Sequence, residues 1–501
     1  MSTQLSLALT GTAAAPSPPQ ARRRIRAATY ESGSMTRRTL GWQAPTVGPN
    51  TAVLSTLTTI RARSRQACRN DGYAKGIIEK LVSNIIGVGI KPLSKATDAA
   101  FKVAVQALWF RWTDQTDADG VLDLYRQQAQ AVRCWLEAGE VFIRLRYRNK
   151  GDTAPTGEPL LVPLQIQILE PEMIPHDYNG AAKNGNTISA GIEFDKIGRR
   201  VNYYFYKARP GAMDEWNLGE LVPIPASSVI HLFDPSRPGQ IRGVPHLAAA
   251  LIKLFELDKF DDATLLRQQI QNLFAAFLTR AASGDAGVNP LTGLADEIFQ
   301  EGRPVVGMEP GTFQELAPGE AVTFSDPPDA GPNYPSFMKQ QLMSISGATG
   351  VPYSVSTGDM AGLSDRVMRV ILDEFARYVQ GFQEHFSFQV CRPLWFAWME
   401  QVFFTDALAI PTSYLKDRSP WNAVKWMTHA RKYLHPVQDV AAREASIRAG
   451  FTSRSAIVSE QGEDAEVIDQ EQAEDNARAK SLGLTYDSDS STRPQQPGAG
   501  A

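Results

Sequence analysis

Cysteine is scarce in this chain: there are three in 501 residues, Cys68, Cys134 and Cys391. They lie far apart, are odd in number and form no CxxC pair, which argues against a disulfide framework and against a cysteine zinc site. They read as small buried hydrophobes in a reducing compartment. Also missing is any run of about 20 uncharged apolar residues, so no membrane span is expected. The opening MSTQLSLALTGTAAAPSPPQA has no basic n-region, and Thr and Gly interrupt its apolar stretch, so it reads as a flexible arm, not an export signal. An excess of one charge is absent too. The 51 Lys and Arg stand against 54 Asp and Glu, a formal net charge of -3, which argues against a domain that coats nucleic acid by charge alone.

Signatures of catalysis are equally thin. No GxxxxGK[ST] loop is present to cradle a nucleotide phosphate, and no GxSxG elbow to present a nucleophilic serine. Gly87-Val88-Gly89 lacks the last glycine of GxGxxG and follows a helical pattern, so it reads as a helix terminator. The six histidines, His176, His231, His246, His385, His429 and His435, show neither HExxH nor HxH spacing. His231 and His246 are the pair placed to meet in space, although without a spacing signal each reads first as a structural histidine. Asp261-Asp262 and Asp373-Glu374 are sequence neighbours inside helical patterns and point about 100° apart, which makes them charged helix faces before acid/base pairs. No enzyme, cofactor or metal is expected.

What the chain does have is ordinary globular material, 43% hydrophobic and 21% charged. At roughly 150 residues per domain the length allows about three units, or one large elaborated one. Charge is polarised at the ends. Arg22, Arg23, Arg24, Arg26, Arg37 and Arg38 face a single Glu31 in the first 60 residues, while the chain from Glu460 onward is acidic. Both extremities are expected to be mobile. Between them, helical periodicity runs from Val53 to Ile86 with a break at Asn70-Asp71-Gly72, followed by helices over Asp98–Thr113 and Leu122–Ala138. Alternating apolar and polar residues then predict strands at Val141–Arg148, Leu164–Glu170, Gly191–Asp195, Val201–Ala208 and Ser227–Phe233. Helices followed by a meander of strands give an α+β unit.

From Pro245 the pattern changes. His246–Arg280 reads as one helix of about 50 Å at 1.5 Å per residue. Its apolar stripe, Leu247, Leu251 and Leu254, breaks at Asp258–Asp262 and resumes through Leu266, Ile270, Leu273 and Phe277. Gly/Pro-rich sequence with short strand patterns (VVGMEPGTFQEL, AVTFSDPP) follows over Ser283–Pro335. A second helix ends at Gly347–Gly350, and a further long one opens at Ser364, its expected N-cap, with Pro393 as a kink. Short amphipathic helices are expected over Pro436–Ala477.

Several of these segments, taken together and in order, resemble lambda-type bacteriophage portal proteins. RARSRQACRNDGYAKGIIEKLVSNIIGVGIKP (Arg61–Pro92) looks like that family's opening, and LGWQAP (Leu40–Pro45) resembles the Trp-Pro element upstream of it. HLFDPSRPGQIRGVPHL (His231–Leu247) is similar to the family's turn into a long helix. SISGATGVPYSVSTGD (Ser344–Asp359) and IRAGFTSRSAIVSEQGED (Ile447–Asp464) continue the match, which spans about residues 35–485.

The resemblance implies a portal-type α+β fold without an enzymatic centre. Its divisions would be a flexible basic arm (1–35), an α+β wing (36–244), a first stem helix (245–282), a small β-containing clip (283–335) and a second stem helix (336–350). A tunnel loop (351–363), a wing helix and return (364–435), a helical crown (436–477) and a disordered tail (478–501) would complete it. It further implies a homo-oligomeric ring, commonly of twelve subunits, at the unique vertex of the capsid, assembled in the bacterial host cytoplasm. Such a ring nucleates procapsid assembly with the major capsid and scaffold proteins and receives the large terminase subunit. It passes double-stranded DNA inward during packaging and outward at ejection, and it docks head–tail completion and adaptor proteins. Subunit number does not follow from sequence, since it is set by angles between interfaces.

Two residue sets follow from laying the resemblance on the chain. Within Ser336–Asp359 the only charged residues are Lys339 and Asp359, so Lys339, Gln340, Ser354, Ser356 and Thr357 are expected to touch DNA weakly and without reading sequence. Phosphate contacts through Lys and Arg bind strongly, and a channel in which a duplex slides needs to avoid that grip. Lys339 is equally placed for an inter-subunit salt bridge. Arg237, Gln240 and Arg242 are expected to form a hydrogen-bonded hinge within or between subunits, or a locally satisfied turn. A metal-dependent nuclease and a different virion ring, such as a tail or connector component, are the competing readings.

Overall fold

In this computed structural model residues 44–208, 219–272, 276–280, 320–324, 333–410, 412–428, 436–484 and 486 are described. The expected arm, most of the expected clip and the end of the expected tail lie outside them, as do Leu273 and the histidines at 429 and 435. Ala44–Gly48 is exposed chain without regular structure. From Pro49 on, the chain forms one compact unit.

The N-terminal half holds the helices that the periodicity predicts. A short α1 (Pro49–Leu54) leads to α2 (Leu57–Asn70) and α3 (Gly72–Ile85). The break between the latter two falls at Asp71, whose carboxylate caps α3 by accepting from the Tyr73 and Ala74 amides. Beyond α3, Gly87 and Gly89 take positive φ (56° and 108°), and a Cβ on Gly89 would lie 2.2 Å from the Tyr125 ring, so this is a helix terminator, as expected. Strand β1 (Lys91–Ser94) precedes α4 (Ala99–Trp112), capped by Asp98, and α5 (Leu124–Ala138), capped by Asp123 and ended at Gly139.

The strand block follows as β2 (Glu140–Tyr147), β3 (Leu164–Leu169), β4 (Gly180–Ala181), β5 (Thr187–Ser189), β6 (Ile192–Phe194), β7 (Arg200–Tyr206), β8 (Leu221–Pro225) and β9 (Val229–Phe233). Two antiparallel sheets result, one in the order β3-β2-β9 and one a β4-to-β8 meander. Strand β2 is buried on both faces. Val141, Ile143 and Leu145 join the main core against the helices, while Phe142 joins Ile192, Tyr203, Phe205 and Ile224 in a smaller core between the sheets.

The long helix is shorter than its stripe suggests. Helix α6 is Leu251–Asn272, 22 residues or about 33 Å, preceded by turns over 246–250. Ala276–Arg280, expected to be helical, is instead strand β10 and pairs antiparallel with β11 (Glu320–Phe324). That partner is 40 residues downstream, so the non-local ladder overrides a helical period that local sequence carries by itself. The stripe also divides. Leu251, Leu254 and Leu257 are buried, whereas Leu265 and Leu266 are more than half exposed.

Helix α7 (Tyr334–Thr349) carries Pro335 in its first turn and ends at Gly350, φ 71°. The expected loop 351–363 contains a one-turn helix α8 (Tyr353–Thr357). Helix α9 (Asp365–Phe386) is capped by Ser364, as expected, and α10 (Arg392–Phe404) continues it. Between them Ser387–Cys391 widens into a π-turn just before Pro393, which has no N–H to contribute to an α ladder. The indoles of Trp109, Trp112, Trp395 and Trp398 pack with centroids 5.0–5.8 Å apart and tie α4 to α10. Helix α11 (Ser419–Asn422) leads to β12 (Val424–Met427), which pairs with β1.

Three helices end the described chain: α12 (Pro436–Arg448), α13 (Arg454–Glu460) and α14 (Ala465–Ser481). The last passes the expected boundary at 477 and is acidic and exposed instead of amphipathic, with Ala465 its one buried residue. Cys68 and Cys391 are buried, Cys134 is half-buried, and all three are free thiols. No described helix is long and apolar enough to cross a membrane.

Candidate functional site

The turn containing Arg237, Gln240 and Arg242 joins β9 to the approach of α6, and its centre is a carboxylate that sequence reading did not single out. Glu140 opens β2 on the face of Phe142 and is 0% exposed. Four donors converge on it: Arg61 Nη2 (2.5 Å), Arg242 Nε (2.6 Å), the Gly243 amide (2.8 Å) and His231 Nε2 (3.0 Å). Burial opposes its charge, but the Arg242 and Arg61 guanidiniums and the His231 bond outweigh burial and hold its carboxyl well below the usual carboxylate range.

Arg242 is itself 0% exposed. Beyond Glu140, its guanidinium donates to the carbonyls of Ala190 (2.9 Å), Pro171 (3.2 Å) and Ile174 (3.4 Å). One side chain thus pins β2, the β3–β4 connection and the β5–β6 turn. Arg61 adds a bond to the Ala138 carbonyl at the end of α5 (2.9 Å). Gln240 is buried and local: it donates to the Arg242 carbonyl (2.8 Å) and accepts from Ser236 (3.0 Å). Asn50 of α1 brackets the turn, donating to the Gly239 carbonyl and accepting from the Ile241 amide, each at 3.0 Å. Arg237 is exposed and takes no part in the Glu140 cluster. Gly243 is required for space, since a Cβ there would lie 1.9 Å from the Gly139 carbonyl oxygen.

His231 does not meet His246. Desolvation pushes the His231 imidazole down to about 4 against the pull of Glu140, so it is neutral near pH 7 with the proton on the nitrogen facing Glu140. His246 instead bonds the Thr349 carbonyl through Nε2 at 2.8 Å. This is one of several contacts that align α6 and α7 antiparallel. Lys253 donates to Ser344 (2.8 Å), Phe260 packs on Phe337 at 5.0 Å, and the Tyr334 hydroxyl donates to Asp261.

The second residue set sits at the end of that helix pair. Lys339 faces Asp359 at 3.4 Å and lies 5.3 Å from the centroid of the Tyr353 ring, whose hydroxyl donates to Asp359 at 2.9 Å. The two charges of the segment therefore answer each other within one subunit. Gln340 is exposed, on a face of α7 shared with Ser336, Phe337, Met343, Ser344 and Gly347 and free of charged side chains. Ser356 and Thr357 are half-buried and donate to the Tyr353 carbonyl at 3.0 and 2.7 Å. Ser354 departs from expectation: it is 4% exposed with its hydroxyl sealed from solvent, so it is a packing residue in the subunit. Its position on a one-turn helix turns it inward, which a loop reading does not foresee. Among the described residues no three His, Cys, Asp or Glu side chains gather as metal ligands.

A family model described as phage portal protein, lambda family, matches residues 35–383. The chain belongs to the lambda family of phage portal proteins. Among curated proteins it is 22% identical over 482 residues to portal protein B of Escherichia phage lambda, covering 88% of each chain. It is 24% identical over 442 residues to a probable portal protein of Halomonas phage phiHAP-1, covering 85% of this chain and 81% of that one. Among solved structures, a chain from the neck of a native gene transfer agent particle is similar at 12% identity and a TM-score of 0.43, over 83% of this chain and 94% of that one. Portal proteins are structural, non-enzymatic components of virions. In this portal chain the Arg-Pro-Gly-Gln-Ile-Arg-Gly turn is explained by the Glu140 socket and by the contact between Gly139 and Gly243. Alternation does not reveal Glu140, which stands one residue before the expected strand Val141–Arg148 and opens the observed β2. The available signal is a carboxylate at an inward-facing position beside Gly139, which demands a buried cation.

Proposed function

We propose that this chain assembles into a ring, of twelve copies in the reading that its family suggests, at the unique vertex of the capsid. The terminase drives double-stranded DNA inward through the ring, and DNA later leaves the same way. The ring also nucleates procapsid assembly with the capsid and scaffold proteins and docks head–tail completion proteins. The observation that carries this reading is the family match over residues 35–383, with coverage of 88% of the lambda relative.

The geometry supports a division of labour. The Glu140–Arg242 socket is a rigid joint, not a sliding hinge, because each of its charged groups is buried and bonded. It fixes the start of α6 relative to the sheets, so a load on the stem passes into the wing. The face of α7 that carries Gln340 bears no charged side chain of its own, Lys339 is matched by Asp359, and the Lys253 ammonium that reaches this face from α6 is bonded to Ser344. A duplex then passes without the salt-dependent grip that clustered Lys and Arg create.

The test is packaging with purified components. Shells assembled with the chain are expected to protect duplex DNA from nuclease when motor protein and ATP are supplied, and shells assembled without it are not. Equal protection without the chain would remove the proposal.

A further inference from the structure

Beyond the ring reading, we infer that the face between the β3-β2-β9 sheet and α10 is a docking groove for an acidic peptide segment of another protein, anchored by one aromatic side chain. The groove is a cavity of about 580 Å³ whose base is Leu145, Val229, Pro393 and Ala397. That volume lies within the range of sites that enclose a compact ligand group. A smaller depression lined by Phe396, Arg418, Ser419 and Asn422 continues it along α11.

Three aromatic rings rim the groove without being covered: Phe388 (62% exposed), Phe396 (48%) and Tyr147 (45%). Phe388 stands on the π-turn that interrupts the α9–α10 helix, a distortion frequent at functional positions. Two guanidiniums lie against aromatic rings of the lining, Arg200 at 5.4 Å from the Phe233 centroid and, just outside the lining itself, Arg392 at 5.5 Å from that of Phe388. Neither has a carboxylate within ion-pair distance among the described residues, while the groove's one acid, Glu400, is engaged by Arg418 at 3.1 Å. The excess charge is therefore positive and held in place, which favours carboxylates.

The lining also includes the ring of His231, whose side chain is 2% exposed. Its Nε2 gives its proton to Glu140 and its Nδ1 is sealed from solvent, so the ring shapes the wall of the groove and offers it no hydrogen bond. Exposed aromatic rings around one cavity and two guanidiniums without carboxylate partners together describe an acidic segment with an aromatic anchor. A strand of nucleic acid would bring phosphates and stacking bases but no single deep anchor, and a second copy would bury this face without requiring free carboxylates.

The experiment is fluorescence anisotropy of the full-length protein with a fluorescein-labelled synthetic peptide, Asp-Glu-Trp-Glu-Asp. Its controls are Lys-Lys-Trp-Lys-Lys, Asp-Glu-Ala-Glu-Asp and a labelled oligothymidylate. Saturable binding of the acidic tryptophan peptide is expected, with at least about tenfold weaker binding of each control. The double variant Arg200→Gln, Arg392→Gln is expected to weaken binding roughly tenfold, since two exposed ion pairs of up to about 0.7 kcal/mol each sum to that factor. Phe396→Ser is expected to do the same through the apolar contact. These three side chains are exposed, so both variants should keep the thermal midpoint of the parent. Any of four results overturns the inference: no saturable binding, equal binding of the lysine peptide, tighter binding of the oligonucleotide, or loss of self-association in the variants with peptide binding intact.

Discussion

Replacing Glu140 by glutamine tests the joint at its centre. The substitution keeps shape and volume but removes the charge that two buried guanidiniums share, Arg61 at 2.5 Å and Arg242 at 2.6 Å. It also puts an NH2 group among four donors that need an acceptor. Breaking a buried pair from one side costs about 3–5 kcal/mol, because the surviving charge stays desolvated. At roughly 2 °C per kcal/mol for a large chain, the thermal midpoint should fall by at least about 6 °C. Tryptophan fluorescence reports it, since the indole cluster between α4 and α10 lies in the same unit. The double variant Glu140→Gln, Arg242→Met should lose less than the sum of the two single changes, because each single change already breaks the shared contact. A midpoint within about 1 °C of the parent for Glu140→Gln, or strict additivity in the double variant, would refute the reasoning.

Other outcomes follow from the same structure. The His231 imidazole is held neutral down to about 4 in the folded chain, whereas an unfolded histidine gains its proton near 6.5. The unfolded state therefore binds more protons between these values, and stability is full above about 6.5 and lost as pH falls toward 4. The loss between pH 7 and pH 5 should be about 2 kcal/mol, and denaturant midpoints should show it shrinking in His231→Gln. Gly243→Ala places a Cβ 1.9 Å from the Gly139 carbonyl oxygen, so soluble yield should collapse, while Gly239→Ala, with open space around it but a φ of 83°, should remain soluble with a modest loss of stability. Trp398→Ala empties a fully buried site and should cost about 3–5 kcal/mol together with the near-UV dichroism of the cluster. Lys339→Ala should alter single-molecule packaging speed by less than about threefold, because its charge is matched by Asp359, and a slowing by orders of magnitude would contradict the non-gripping channel.

What was legible in the sequence is what local pattern determines. Asp71, Asp98 and Ser364 mark their helix starts, Gly87 and Gly89 end α3, and alternation finds β2, β3, β6, β7 and β9 but not the short β4 and β5 or the proline-bearing β8. Non-local pairing was not legible. Ala276–Arg280 continues a helical stripe in sequence, yet it answers to a strand 40 residues downstream. The candidate joint was half visible. The turn sequence points to Gln240 and Arg242, but their meaning depends on Glu140, 102 residues upstream from Arg242, and on Asn50 in α1. Arg237 drew notice from the same turn and stays on its surface. Ser354 reads as loop surface because a one-turn helix leaves no periodic trace.

The central claim is that copies of this chain close into a ring around a passage for duplex DNA. The exposed Leu265 and Leu266 of α6, together with exposed Val367 and Val370 of α9, are the apolar surfaces a neighbouring copy would cover. Electron microscopy of the purified full-length protein addresses the claim most directly. Closed rings with an axial hole wide enough for a duplex are expected, and a monomer, an open filament or a solid disc would contradict the proposed function.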